Sequence, residues 1–355
     1  MPDSHNFAAE QLHAITRSLY LAAGAPHHIA DAVAAILVNS NLCGHDSHGV
    51  LHLPRYLKEI EDGTMDPAAE PTALRETSTF LQLDGGEGPG HYTARVAMQR
   101  AIEKAKQAEI CRVSFVRIRH IGRLGEYAEM AAAAGCVGIV VYSGGGNRIL
   151  PHGGRVGALG TNPIAAAFPT GDDAPFSMDF ATSSIAVSKM LVAQSKGEQL
   201  PEGCIVDRDG RPSVDPQDFF DGGYLCSFGA HKGYALGLFV NLLAGLSGEF
   251  DATEGTMGGT VMLAIDIGSM TPLAEYEKGA RAFLDRVKAT PPAPGFDEVI
   301  APGDFEARSR TLRRRDGIDL PSAIADEIQS WAQKLGVQIG DDIAEEADRQ
   351  RYRHE

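Results

Sequence analysis

Several features that would settle the class of a 355-residue protein at a glance are missing from this sequence. Its five cysteines (Cys43, Cys111, Cys136, Cys204, Cys226) are odd in number and contain no C-x-x-C pair. Free thiols in a reducing cytoplasm are expected rather than a disulfide framework. No apolar run approaches the ~20 residues that a membrane span needs. The opening stretch, MPDSHNFAAEQLHAITRSLY, lacks a basic segment followed by an apolar one, so no signal peptide is expected. Basic charge is scarce: 32 Lys and Arg against 47 Asp and Glu leave a net charge of −15. That balance argues against a nucleic-acid groove, which wants a basic face, yet a small anionic ligand needs only a few local cations. No fixed-period repeat stands out, and no G-x-G-x-x-G dinucleotide fingerprint is present.

What is present points to a sizeable α/β protein. Hydrophobic residues make up 43% of the chain, enough for a large core, and 40 glycines imply many tight turns. The length suits two domains, or one α/β unit with an appended helical part. Residues 6–43 read as two helices, from Leu12, Ile15 and Leu19 and then Ile29, Val33, Ile36 and Leu37. A short helix from Pro54 ends near Gly63, and PAAEPTA (67–73) reads as a linker. Strand and helix signals then alternate. Strands are predicted at 78–86, 112–118, 137–143, 163–169, 176–181 and 260–267, the last of them central. Helices are predicted at 91–109, 125–135, 183–197 and 231–248, the last mostly apolar and buried. Amphipathic helices at 273–289 and 320–335 close the chain. Helices at both ends around an alternating middle predict an α/β core with a helical cap built from the two termini.

The most unusual stretch is GHDSHGVLHLPRY, Gly44 to Tyr56, with three histidines, an aspartate, a serine and an arginine in thirteen residues. His45, Asp46 and His48 could face a metal, but no H-x-x-x-H, H-E-x-x-H or cysteine pattern completes such a site. A solvated polar loop is the bland reading. Acid–base chemistry is the third, because a histidine near neutrality suits proton transfer and an adjacent Ser47 or Asp46 can orient it. A separate histidine, His120, sits in RIRHIGRLGEY just after a strand, where ligand sites of open α/β sheets are favoured. YSGGGNRILPHGG (142–154) and DGGEGPGH (84–91) are glycine-rich, and a plain turn is the stronger reading of each alone. In GAHKGYALG (229–237), Lys232 at a helix start could meet an anion such as a cofactor phosphate. Asp179, in SMDFATS, could accept from ribose hydroxyls or cap the next helix. The basic run RTLRRRDG (310–317) reads as a solvated face with no role.

Taken in order, DSHGVLHLPRY, DGGEGPGH with AMQRAIEKAK, GALGTNPIAAAFP, FSMDFATS, GAHKGYALGL and PAPGFDEVIAPGD resemble the type-2 malate/L-lactate dehydrogenase family. Ureidoglycolate and sulfolactate dehydrogenases, diketogulonate reductase and cyclic imino-acid reductases belong to it. The resemblance runs from about residue 10 to about residue 335. It implies an NAD- or NADP-dependent oxidoreductase with a mixed-sheet, non-Rossmann cofactor domain (73–305). Helical parts at 1–72 and 306–355 would pack together, in a homodimer or higher homo-oligomer. The family's Ser-His-Gly falls on Ser47, His48 and Gly49, and its other acid–base histidine on His120. Cofactor contacts fall on Ser143, on Asp179, Phe180 and Ala181, on His231 and Lys232, and on Gly303, Asp304 and Phe305. Two departures bear on the substrate: His52 stands where the family commonly has arginine, and RHIGRLG surrounds His120 where small residues are usual. The expectation is therefore hydride transfer between a nicotinamide and a small 2-hydroxy or 2-keto acid. His48 and His120 would handle the proton, Ser47 and Asp46 orient them, and His52 and Arg55 hold the carboxylate. A cyclic imino-acid reductase, a catalytically silent nucleotide-binding protein and a metal-dependent hydrolase are the alternatives.

Overall fold

The computed structural model describes residues 4–339, apart from residues 145 and 173. Strand β1 (Ser4–Phe7) is followed by α1 (Ala9–Ala22), α2 (His27–Leu42) and α3 (Leu53–Glu61). The sheet region begins with β2 (Thr72–Glu76), β3 (Phe80–Gly88), α4 (Gly90–Ala108), β4 (Ile110–Ile118), α5 (Gly125–Ala133) and β5 (Cys136–Ser143). Next come β6 (Ile164–Phe168), β7 (Phe176–Phe180), α6 (Val187–Lys196), β8 (Ile205–Val206), β9 (Pro212–Ser213), α7 (Pro216–Phe220) and β10 (Tyr224–Leu225). The chain then runs through α8 (His231–Ala244), β11 (Glu249–Asp251), β12 (Thr256–Asp266), α9 (Leu273–Lys288), α10 (Asp304–Asp316), β13 (Ile318–Pro321) and α11 (Ser322–Leu335).

The main sheet runs β2-β3-β4-β12-β5-β6-β7, with β11 paired to β12. Only β3 and β4 are parallel, and every other pairing in the sheet is antiparallel. Two-residue alternation decides what each face buries. Leu81, Leu83, Val113, Phe115, Val140 and Met262 meet the alanine-rich faces of α4 and α5. Their neighbours Val141 and Val261 point the other way, onto Val240 and Ala244 of α8. The predicted central strand is β12, held between β4 and β5.

The two chain ends do form one helical part. β1 pairs antiparallel with β13, and one apolar core joins α1, α2 and α3 to β13 and α11 through Leu19, Ile29, Leu37, Tyr56, Ile318 and Ile328. The stretch 340–355 of the predicted C-terminal part lies outside the described residues. Among the described residues no helix is long and apolar enough to cross a membrane.

Three predicted elements differ. The linker at 67–73 runs into edge strand β2, whose residues are all exposed and so carry no alternation to read. The basic run expected as a solvated face with no role forms the end of helix α10. The apolar helix predicted buried over 231–248 ends at Ala244 and is buried only at Gly233, Gly237, Val240 and Ala244. Leu238, Phe239 and Leu242 are exposed, as are Leu246 and Phe250 just beyond.

Candidate active site

The histidine-rich run forms two short 3₁₀ turns, Asp46–His48 and Val50–His52, between α2 and α3. Asn41, in the last turn of α2, holds them. Its Oδ1 accepts from the Val50 amide at 2.9 Å and its Nδ2 donates to Asp46 at 2.6 Å. Gly49 lies so close that a Cβ there would come within 2.1 Å of Asn41 Oδ1, so no larger residue fits. From α10, Arg313 grips both Asp46 oxygens at 2.6 and 2.8 Å and also donates to the Asn41 carbonyl. The fork geometry suits guanidinium and carboxylate. Asp46 is thus committed to Arg313 and Asn41 and makes no hydrogen bond to His48. The expectation that it orients His48 is replaced by a role in holding the turn. His45 likewise donates to Glu306 of α10 at 2.9 Å.

This turn brings His48 to His120. The rings stack at a centroid distance of 6.0 Å and an interplanar angle of 25°. Two further imidazoles stand edge-on to His120: His52 at 5.4 Å and His91, from the first turn of α4, at 6.0 Å. Tyr56, one turn into α3 from His52, places its hydroxyl 2.6 Å from His120 Nδ1. Ser47 Oγ lies 3.0 Å from His48 Nδ1. His91 Nε2 is buried without a hydrogen-bond partner, facing the backbone of Gly122. Among the described residues no three His, Cys, Asp or Glu side chains are arranged to hold a metal ion.

Burial dominates the electrostatics of this cluster. Loss of water pushes the pKa of His48 down to about 4, His91 to about 3 and His120 to about 2, and the neighbouring imidazoles reinforce each shift. His52 is also lowered, again by burial. All four rings are therefore neutral at pH 7. Burial also raises the pKa of Tyr56, which stays a hydroxyl. His52 Nε2 must carry a proton, because it donates to the Ser47 carbonyl at 2.8 Å. In the neutral ring Nδ1 is then a bare acceptor. The expectation that His52 holds a carboxylate is corrected on that ground: the neutral ring offers it no second donor.

A cleft of about 580 Å³ opens beside His120. Arg55, Arg119, Tyr142, Ser143 and the backbone of Gly144 and Gly258 contribute to its walls. Arg55 pairs with Glu59 at 2.7 Å and is 55% exposed, so it remains available to an anion in the cleft. Arg119 pairs with Glu87 at 2.9 Å, and its Nε is buried without an acceptor.

The residues expected to meet a cofactor are placed as follows. Ser143 is buried, with Oγ 3.0 Å from both Asn162 Oδ1 and Asn241 Oδ1, beside the cleft. Asp179 accepts from the Gly125 amide at 2.7 Å and so caps α5, not the helix that follows it. Phe180 is exposed and lies edge-on to Phe228, and Ala181 is partly exposed. His231 and Lys232 open α8 on the surface, and among the described residues Lys232 has no ionic partner. Gly303, at φ +100, backs onto the Pro175 carbonyl. Asp304 pairs with Lys288 at 3.1 Å, and Phe305 is exposed beside Gly44. Gly145, within the glycine-rich loop 142–154, lies outside the described residues. Ser143 and the backbone of Gly144 and Gly258 give the cleft a wall that would suit a flat ring, and Lys232, without an ionic partner among the described residues, opens a helix N-terminus that would suit phosphate.

Sequence reasoning missed Tyr56, His91, Asn41 and Arg313. Tyr56 stands at i+4 from His52 on a helix, a spacing that was readable. His91 closes DGGEGPGH, a stretch that reads as a turn. Arg313 could not be found from spacing, since it meets Asp46 across 267 positions of sequence.

The family described as malate/L-lactate dehydrogenase matches residues 7–329. An L-lactate dehydrogenase of Cupriavidus necator is 38% identical over 342 residues, covering 92% of this chain and 96% of that protein. An L-sulfolactate dehydrogenase of Methanocaldococcus jannaschii is 33% identical, covering 90% and 94%. Among solved structures, the malate dehydrogenase of Entamoeba histolytica superposes with a TM-score of 0.88 at 26% identity, over 95% of this chain and 99% of that one.

Proposed function

Because the chain belongs to the malate/L-lactate dehydrogenase family, and is thus an NAD(P)-dependent oxidoreductase acting on hydroxy or keto acids, we propose that it interconverts a small 2-hydroxy acid and its 2-keto acid. The observation that carries this reading is His120 on the cleft wall with Tyr56 behind it. The bound nicotinamide supplies or accepts the hydride; the protein must place the two carbons and handle one proton.

His120 is the principal proton-handling group, because it is the one cluster histidine on the cleft wall. In oxidation, His120 Nδ1–H donates to the Tyr56 oxygen, which leaves the Nε2 lone pair to take the proton of the substrate hydroxyl. In reduction the ring, neutral in the empty cleft, must first take up a proton once the anionic substrate is bound beside it; the same hydrogen bond to Tyr56 then holds that imidazolium while Nε2–H protonates the oxygen at C2. Tyr56 serves both directions, since a hydroxyl can accept as well as donate. His48, stacked on His120 and held by Ser47, fixes the ring plane. Arg55 takes the carboxylate, whereas His52 is spent on the Ser47 carbonyl. Lys232, His231 and the strand end at Asp179, Phe180 and Ala181 would hold a bound dinucleotide, together with Ser143, Gly303, Asp304 and Phe305.

A second copy of the chain covers the bare face of α8. Leu238, Phe239, Leu242, Leu246 and Phe250 form an apolar surface too large to leave in water. Phe250 also lines the cleft, so a subunit seated there walls its open side. Light scattering of Leu242→Asp, expected to yield monomers where the unaltered chain gives dimers, tests this; a monomeric unaltered chain contradicts it.

The functional test is a panel of 2-keto acids and cyclic imino acids with NADH and NADPH, followed by absorbance at about 340 nm. Turnover of a 2-keto acid supports the reading. Turnover of cyclic imino acids alone replaces it with the imine reductase. Chelator-sensitive hydrolysis without any nicotinamide signal rejects both.

A further inference from the structure

Two of the five cysteines face each other across a strand pair away from the histidine cluster. β8 and β10 run antiparallel, with Tyr224 opposite Val206 and Leu225 opposite Ile205. One step further the ladder ends, with Cys204 already in a bend, but Cys226 still comes opposite it: its amide donates to the Cys204 carbonyl at 2.9 Å. Opposed residues of an antiparallel pair project to the same face, with Cα atoms about 5.5 Å apart at a hydrogen-bonded position. That spacing falls within the range a disulfide spans. Both are free thiols. Cys204 is buried among Ile149, Met190, Leu200 and Leu225, while Cys226 is partly open to solvent. Burial raises the pKa of each thiol, and Cys204 raises that of Cys226 further.

What hangs on Cys226 is the approach to α8. Its carbonyl accepts from the Ser184 amide at 2.8 Å, and the Phe228 amide donates to the Thr182 carbonyl at 3.1 Å. Ser183 bridges Ser227 between them. Residues 226–228 thus run beside 182–184, the segment that follows Asp179, Phe180 and Ala181. Through Gly229 and Ala230, both at positive φ, they lead into His231 and Lys232.

We propose that Cys204 and Cys226 are a reversible dithiol–disulfide site, closed by a low-molecular-weight disulfide, whose closure weakens the dinucleotide side of the cleft. The effect on the dinucleotide rests on the proposed function; the thiol chemistry does not. The Cys226 thiolate, the more accessible of the two, attacks the small disulfide and releases one small thiol. Cys204, as thiolate, then attacks the Cys226 sulfur of the mixed disulfide and releases the second small thiol. One S–S bond is consumed and one formed, and two protein thiols are oxidised as one small disulfide is reduced. Directly opposed Cβ atoms stand about 4.5–5.5 Å apart, wider than the ~3.8 Å typical of a disulfide. Closure therefore draws Cys226 toward β8 and strains its bonds to residues 182–184, which position Lys232.

The test treats the full-length protein with oxidised glutathione, removes the excess, and counts thiols after unfolding. The count should fall from five to three, the intact mass should drop by two hydrogens, and peptide mapping should link Cys204 to Cys226. The dissociation constant for NADH or NADPH, from fluorescence titration, should rise about tenfold and return with dithiothreitol. Cys204→Ser and Cys226→Ser should each abolish both changes while binding dinucleotide as the reduced protein does. Five thiols after treatment, or only a glutathione adduct on Cys226, overturns the site. A 204–226 bond with unchanged dinucleotide affinity overturns the coupling. A reduced protein that binds neither dinucleotide refutes the proposed function, and with it the coupling, while the mass still decides the disulfide.

Discussion

The Tyr56 hydroxyl lies 2.6 Å from His120 Nδ1, joining the helical part of the chain to the end of a sheet strand. Tyr56 reaches this point because Leu53, Tyr56 and Leu57 form the buried stripe of α3. Removing the hydroxyl leaves His120 free to rotate and its Nδ1 without a partner. A buried hydrogen bond is worth about 1 kcal/mol, so Tyr56→Phe should lower kcat roughly fivefold with dinucleotide KM unchanged. The kcat–pH profile should also move, since the partner of the titrating ring is gone. Wild-type kcat and an unmoved profile in the variant would show that the contact is merely structural.

His52 makes a more exposed prediction. Binding a carboxylate through this ring would require protonation, and burial lowers its pKa. Such a contact would strengthen only as pH falls below the ordinary histidine range of about 6.5. With Nε2 committed to Ser47, substrate KM should stay flat from about pH 6 to 9 in respect of His52. His52→Arg should weaken substrate binding, because the longer side chain displaces the bond that closes the turn. Tighter binding of 2-keto acids by the arginine variant would return His52 to the carboxylate site.

The neutral imidazoles set the acid limit of stability. The folded-state pKa values of His48, His91 and His120 lie below the unfolded value, so below about pH 6.5 the unfolded chain binds more protons. Stability should be full above that pH and fall as pH drops toward the folded values of about 4, 3 and 2. Linkage puts the loss near ~2 kcal/mol per histidine at about pH 5. Thermal unfolding at pH 7.5 and 5.0 should show Tm falling, and His91→Gln should flatten the slope. An equal pH slope in that variant would mean that His91 is not held neutral by the fold.

Arg313 should matter although it touches no substrate. Its fork on Asp46 is partly exposed, so solvent screening limits its worth to about 1 kcal/mol. Arg313→Ala should lower Tm by roughly 1–2 °C and raise substrate KM more than dinucleotide KM, because the loosened turn carries His48 and His52. Unchanged kinetics with a lower Tm would confine Arg313 to stability.

Much of this was legible in the sequence because local pattern and burial agreed. Alternating Leu81 and Leu83, or the Ile29–Val33–Ile36–Leu37 stripe, mark single faces that the fold buries. His48 and His120 stood out because each lies just beyond a patterned element, and the fold stacks their rings. What escaped was set by contacts between distant segments: Arg313 on Asp46, Asn41 under Gly49, and Asp179 capping α5 from β7. Composition also misled at α8, where an apolar helix implied burial within one chain although its outer face is bare.

The most direct test concerns His120 itself. Single-turnover absorbance at about 340 nm should follow oxidation of reduced nicotinamide by a 2-keto acid, in wild type and in His120→Asn. Loss of the proton-handling ring should slow that step by ~10²–10⁴-fold while fluorescence titration finds the same dinucleotide affinity. A His120→Asn protein that transfers hydride within a few-fold of wild type would contradict the account.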